Sequence, residues 1–328
     1  MKTFSEYKNT SKVLSIKESV DSQYTLFPKN RRELEQMVDE EIQKHGNRAD
    51  LNHIDVSKIT DFSKLFKGSE FNGDISKWDV SNAEDMSRMF DNSRFCGDIS
   101  GWDVSNVTDM KCMFCHAESF NQDLSGWNVS NVTNMEGMFC YNVAFNGDIS
   151  DWDVSNVTNM EGMFECAKSF NQDLSGWDVS KVTNMKNMFC YATSFNGDLS
   201  TWDVRNVKNM MNMFACSNFN GNLKRWNTKN VENMGFMFYD DNLFNQDISR
   251  WDVSNVTNMS DMFSGCALFN QDISEWNVSK VENMCEMFRR ARSFDQDISG
   301  WDVSKVINMS DIFVNCPCPE EHQPMFES

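Results

Sequence analysis

Cysteine, aspartate and tryptophan recur in this chain at spacings that invite chemistry. Cys112-Met113-Phe114-Cys115-His116 satisfies the C-x-x-C-H pattern of covalent haem attachment. One column of carboxylates runs through Asp74, Asp98, Asp123, Asp148, Asp173, Asp198, Asp247, Asp272 and Asp297, with Asn222 in series. A second runs through Asp79, Asp103, Asp153, Asp178, Asp203, Asp252 and Asp302, with Asn128, Asn227 and Asn277 in series. Stacked carboxylates of this kind suggest a calcium ladder, with Asp74, Asp79, Asp98, Asp103, Asp148 and Asp153 as its first ligands. The ten tryptophans, from Trp78 to Trp301, stand 25 residues apart with two gaps of 24, and a row of ring faces suits carbohydrate stacking.

Each pattern also has a purely structural reading. Met113 and Phe114 fall in slots filled by Met and Phe throughout the chain, so the haem pattern is expected to be coincidence. No second Cys or His pair recurs nearby, which makes zinc poor as well. Carboxylates about 5 Å apart repel by roughly 1–3 kcal/mol per pair, so something must compensate. Aspartate accepts backbone N–H bonds at turns, as asparagine does, and Asn at 128, 222, 227 and 277 keeps the acceptor while dropping the charge. The turn reading is therefore favoured over calcium. Trp alternates with polar neighbours, and nineteen Met fill the Met-x-x-Met slots with Ile312 the one exception, so both columns read as core. Seven cysteines just after the Phe of each copy interchange with alanine, which reads as small buried thiols in a reduced protein. Disulfides between coils are the alternative.

The element that positions all of these is a repeat. One clean copy runs from Phe145 to Phe164, and a period near 25 residues is the signature of stacked coils. Trp152 and Val154 alternate with Asp151, Asp153 and Ser155, as in a short strand. Val157, Met160, Met163, Phe164 and a small residue near 167 then follow at 3, 3, 1 and 3, which predicts a two-turn helix with Ser155 as N-cap. The expected fold is an α/β repeat solenoid, a leucine-rich-repeat-like horseshoe of about eleven coils with parallel strands on one face and short helices on the other. Residues 28–50 are expected to form a capping helix with Asn30 as N-cap, Glu33 completing a capping box and Gly46 as the stop. The solenoid is assigned to 51–316, a tail to 317–328, and a weakly structured segment to 1–27, within which 13–16 suit a strand.

Charge and composition narrow the function. The first fifty residues are neutral, so the repeats carry the whole net charge of −19. Such a surface repels nucleic acid and anionic lipid. No apolar run is long enough to span a membrane and the first thirty residues lack a secretory h-region, so a cytoplasmic, monomeric protein without a cofactor is expected. His45, His53, His116 and His322 are scattered, and no phosphate loop or nucleophile elbow occurs, so no enzyme is expected.

The run Trp-Asp-Val-Ser-Asn-Val-Thr-Asn-Met-x-x-Met-Phe, preceded by Phe-Asn-x-Asp-Ile/Leu-Ser, resembles the repeat of BspA-like leucine-rich-repeat surface proteins, which is abundant in mycoplasma lipoproteins. The resemblance covers about residues 51–316, and residues 24–66 are similar to the helix and first coil that often precede such repeats. It implies a binding or adhesion module, displayed on a cell surface or a virion.

The expected function is a non-catalytic recognition or adhesion scaffold with a protein partner. A purely structural array and a Ca²⁺-stabilised solenoid are the alternatives. Specificity is expected in the variable slot before each Trp, at Lys77, Asp151, Thr201, Arg225, Arg250 and Glu275. The coil around Trp226 breaks the pattern, and Arg205, Lys208, Lys224, Arg225, Lys229 and Arg250 form a basic spot on the acidic array.

Overall fold

A computed structural model describes residues 24–326. The strand expected at 13–16, like the rest of 1–23, lies outside the described residues. Helix α1 spans Arg31–His45. The Asn30 side chain accepts the Glu33 N–H, and Gly46, at φ 83°, ends the helix by donating to the Ile42 carbonyl. Leu34 and Val38 are buried and close the first end of the core. Residues 24–27, expected to be weakly structured, lie extended on the first coil: Leu26 pairs with Ile54, and Asp55 donates to the Leu26 carbonyl at 2.8 Å.

Beyond α1 the chain is a stack of coils, and each coil is built of β-turns. In the copy from Phe145, i→i−3 bonds join Trp152 to Ile149, Val157 to Val154, Met163 to Met160, and Ala167 to Phe164, at 3.2, 2.9, 3.2 and 3.0 Å. Each turn sends its first and last residues inward, which is why apolar residues recur at i and i+3. The expected short helices are absent from the repeats. Among the described residues, α1 and a 3₁₀ turn at Glu320–His322 are the only helices.

The reason lies in where the N–H groups point. An α-helix would use them internally, whereas here alternate ones leave the coil. Met160, Gly162, Phe164 and Cys166 donate to the carbonyls of Asn184, Lys186, Met188 and Cys190 in the next coil, at 3.0, 2.7, 2.9 and 2.7 Å. The alternation needs a left-handed residue at the third position of the last two turns of each coil, as in a type II turn. Gly162 (φ 59°) and Cys166 (φ 57°) supply it, with Asn187, Asn212, Tyr141 and Tyr191 in the same slots of other coils. The expected strands also shift. Trp152 and Val154 form no ladder. Parallel pairing runs instead through single residues of the column Asp61, Asp85, Asp109, Asn134, Asn159 and onward to Asn308.

The core is a set of stacked ladders. Phe139, Phe164 and Phe189 lie nearly parallel at 5.8 and 5.6 Å, and Trp127 and Trp152 at 6.5 Å. Every Trp is between 3 and 6% exposed. Each indole N–H reaches back to the coil before, as Trp177 does to the Ile149 carbonyl at 3.1 Å. The Trp column is therefore buried, as its periodicity implied, and so is the Met column up to Met287.

Coil length is adjusted by one substitution. In most 25-residue coils the Phe N–H donates to a backbone carbonyl three residues back, as in Phe170 to Ala167 at 3.1 Å, and in the coil of Phe145 the Asn142 side-chain oxygen at the same position accepts it, also at 3.1 Å. The shorter coils lack that residue, and a serine hydroxyl accepts instead: Ser69 from Phe71, Ser93 from Phe95 and Ser217 from Phe219, at 3.1, 3.0 and 3.2 Å.

At the far end, residues 316–326 fold back as a cover rather than hanging as a tail. Cys318 is buried, Phe326 packs on the core, and Ile298 donates to the His322 carbonyl at 2.9 Å.

Candidate partner-binding face

The two acidic columns lie on the outside of the turns, and their carboxylates are occupied. Asp148 accepts the Ser150 N–H and Asp153 the Ser155 N–H, each at 3.0 Å. Asp74, Asp79, Asp98 and Asp103 do the same with Ser76, Ser81, Ser100 and Ser105. For Asp98 and Asp148 the serine backbone bond, then the hydroxyl bond, hold the carboxyl below its ordinary range, outweighing the upward push of the stacked aspartates on either side. That is the compensation the stacked charges require. Among the described residues, no group of three or more His, Cys, Asp or Glu is arranged to hold a metal ion.

The C-x-x-C-H segment lies in the turn region of its coil, with Cys112 and His116 in the left-handed slots at φ 53° and 55°. His116 stacks on Tyr141 with ring centroids 4.5 Å apart. The thiols of Cys112, Cys115 and Cys140 influence one another across two coils, a neighbour relation the linear spacing does not display. The Cys112 contact acts to lower the Cys115 thiol, but the Cys140 contact and burial carry it up to about 12. All eleven cysteines are free, and Cys166, Cys190, Cys266 and Cys318 are buried.

The residues in the slot before each Trp are exposed: Lys77, Asp151, Thr201, Arg225, Arg250 and Glu275. Each sits in a turn whose final residue, the Trp, is anchored in the core, so the side chain before it must face out. Thr201 is partly committed, since its hydroxyl donates to the Ser175 carbonyl at 2.7 Å.

The basic spot divides into distinct parts. Lys224, Arg225, Trp226, Asn227, Thr228, Arg250 and Asp252 line one cleft of about 680 Å³. Lys208 lies in a second, with Asn206, Asn230, Glu232, Asn255 and Lys280. Arg205 and Lys229 line neither. Arg205 folds onto Asp203 at 2.7 Å and Lys224 pairs with Asp247 at 2.6 Å. The Lys224 bond, first among several, holds the Asp247 carboxyl down at about 2. Among the described residues Arg225 and Arg250 form no ion pair, so two adjacent coils present free guanidinium groups. Thr228 replaces the usual core Val, is fully buried, and donates its hydroxyl to the Asp252 carbonyl at 3.0 Å, stitching the cleft floor to the next coil. Asp252 and Lys280 belong to these clefts but follow the regular repeat pattern, so nothing in the linear sequence marks them.

Three successive stretches, residues 32–140, 124–222 and 215–323, match the family described as Mycoplasma protein of unknown function, DUF285. The chain belongs to this family. The DUF285 region thus takes in α1, every coil and most of the carboxyl-terminal cover. Among solved structures, the functional domain of InlJ from Listeria monocytogenes aligns at 10% identity with a TM-score of 0.20. That alignment covers 73% of this chain and 57% of the InlJ chain, so the match spans little more than half of the latter. A search of curated proteins finds no significant match. No helix among the described residues of this DUF285 chain is long and apolar enough to cross a membrane.

Proposed function

We propose that the array is a non-catalytic recognition scaffold that holds an acidic segment of a partner protein in the cleft between Arg225 and Arg250. One observation carries this reading: consecutive coils place unpaired guanidinium groups side by side, in the slot that varies most, on a protein of net charge −19. Arginine forks suit carboxylates, and the exposed Asn227 offers a further donor beside them. The rest of the face repels acidic partners, so attraction is confined to this spot and specificity gains from the contrast. Nucleic acid fits the same cleft poorly, because the surrounding field repels a phosphate backbone. The resemblance to BspA-like surface proteins is consistent with an adhesive role and adds no partner.

The test uses a fluorescein-labelled peptide of twelve alternating Asp and Gly residues, with anisotropy read at low and physiological salt. Saturable binding that weakens with salt and is lost in Arg225→Glu/Arg250→Glu supports the proposal. Binding that is unchanged in the double variant, or absent in the wild type, overturns it. Melting of the variant checks that the fold is intact, which two exposed positions should leave within about 0.5 kcal/mol each.

A further inference from the structure

From the first Met slot of each coil onward, every interface between coils has the same polarity. Four main-chain N–H groups of one coil donate forward, and the next coil answers with carbonyls: Met284 to Asn308, Glu286 to Ser310, Phe288 to Ile312 and Arg290 to Val314, at 2.9, 2.8, 3.0 and 2.8 Å. Among the described residues the last coil has no successor on this side. Among the described residues, the N–H groups of Met309, Asp311, Phe313 and Asn315 have no acceptor.

The side chains around them are uncovered too. Met309 is 40% exposed, against 0–1% for every earlier Met in its column. Ile307, 82% exposed, stands where earlier coils carry Thr, Glu or Lys. Val314 is exposed as well. The cover formed by 316–326 protects the other half of the coil, where Trp301 and Val303 stay buried. Half of the end is closed, and half presents the surface that each inner coil buries beneath its neighbour.

We infer that this open edge, from Ile307 to Asn315, docks a coil of the same repeat type from a different polypeptide, adding it to the stack through main-chain carbonyls. The polarity selects the occupant. Two copies of this chain meeting edge to edge would oppose donors with donors. The opposite end of a second copy is closed, because Leu34 and Val38 of α1 sit on its core and the Arg31 Nε donates to the Ser63 carbonyl at 2.6 Å. The partner must therefore bring free carbonyls at alternate residues and apolar groups to cover Met309 and Phe313, which a repeat coil with a bare leading edge provides. This site is separate from the arginine cleft.

The probe is a synthetic peptide with the sequence of residues 145–169, kept reduced, added to the full chain. Amide exchange of Met309, Asp311, Phe313 and Asn315 is expected to be fast in the free protein and to slow about tenfold or more with the peptide. A scrambled peptide should have no effect, and Ile307→Lys/Val314→Lys should abolish the protection without lowering the melting temperature. Protection that survives the double variant overturns the inference, as does the absence of any protection. Protection that rises with protein concentration alone would mean self-association, and would overturn the choice of occupant.

Discussion

Ser217 and Asp241, one coil apart, converge on a single backbone N–H: that of Phe219, 3.2 Å from the Ser217 hydroxyl and 2.8 Å from an Asp241 carboxylate oxygen. The serine compensates for the residue missing from its short coil. The aspartate, fully buried, also accepts the Ser217 hydroxyl and the Leu243 N–H. Burial raises its carboxyl from 3.8 to about 7, against the pull of those bonds. The folded chain thus binds this proton more tightly than the unfolded chain. Its stabilising effect is complete below about pH 4, fades as pH rises, and is gone above about pH 7. Asp241→Asn removes the titration. Between pH 4 and 8, wild-type stability should fall relative to the variant by up to roughly 4 kcal/mol, read from urea midpoints. A constant difference across that range would show that the carboxyl is not held protonated.

Ser93 tests the rule for coil length. Its hydroxyl is the acceptor for the buried Phe95 N–H, at 3.0 Å. Ser93→Ala leaves that donor orphaned and should cost about 1–3 kcal/mol. Ser119, exposed in a full-length coil, is the control, and Ser119→Ala should change stability by less than about 0.5 kcal/mol. Equal effects from the two substitutions would contradict the compensation.

Gly162 separates turns from helices by the sign of one substitution. In a helix, Gly→Ala stabilises by roughly 0.5–1 kcal/mol. At φ 59° the same change strains the backbone, and the added methyl would lie 3.2 Å from Glu165 Oε2. Gly162→Ala should therefore destabilise by about 1 kcal/mol. Gly162→Asn should cost less, since Asn187 and Asn212 already occupy this slot at φ 58°. Thermal melts of the two variants decide the matter.

Trp177 probes the core ladder. Its indole donates to the Ile149 carbonyl at 3.1 Å and stacks on Trp202 at 6.4 Å. Trp177→Phe keeps an aromatic ring but leaves space in the core and removes one of the two donors to the Ile149 carbonyl, which retains the Trp152 N–H, and should lower stability by roughly 1–3 kcal/mol. A loss below about 1 kcal/mol would mean that the bond between coils contributes little.

Much of this was legible in the sequence because burial and repetition leave marks. The period assigned each coil its length, and the strict Trp, Met and Phe columns marked what faces inward. The helix was misread for a physical reason: consecutive β-turns and a helix both place apolar residues three apart. The left-handed slot that distinguishes them holds Cys, Tyr, Asn and Arg as well as Gly, so no glycine pattern betrays it. The pairing column was missed because its residues, Asp61 through Asn308, are polar and half-exposed, unlike a buried strand. The basic spot was legible as composition but not as geometry. Only the stack shows that Arg205 turns to Asp203 while Arg225 and Arg250 share a cleft.

The Trp N–H groups reach back one coil while the main-chain N–H groups from each first Met slot onward reach forward one, and each kind of bond joins the same pair of slots at successive junctions. Removing or duplicating one whole copy would rejoin the same donors to the same acceptors, whereas a cut of a few residues would misalign every bond across that junction. Length in this protein is therefore quantised. Lineages that carry it should differ by steps of 24 or 25 residues, and a genome survey of copy number would display those steps directly.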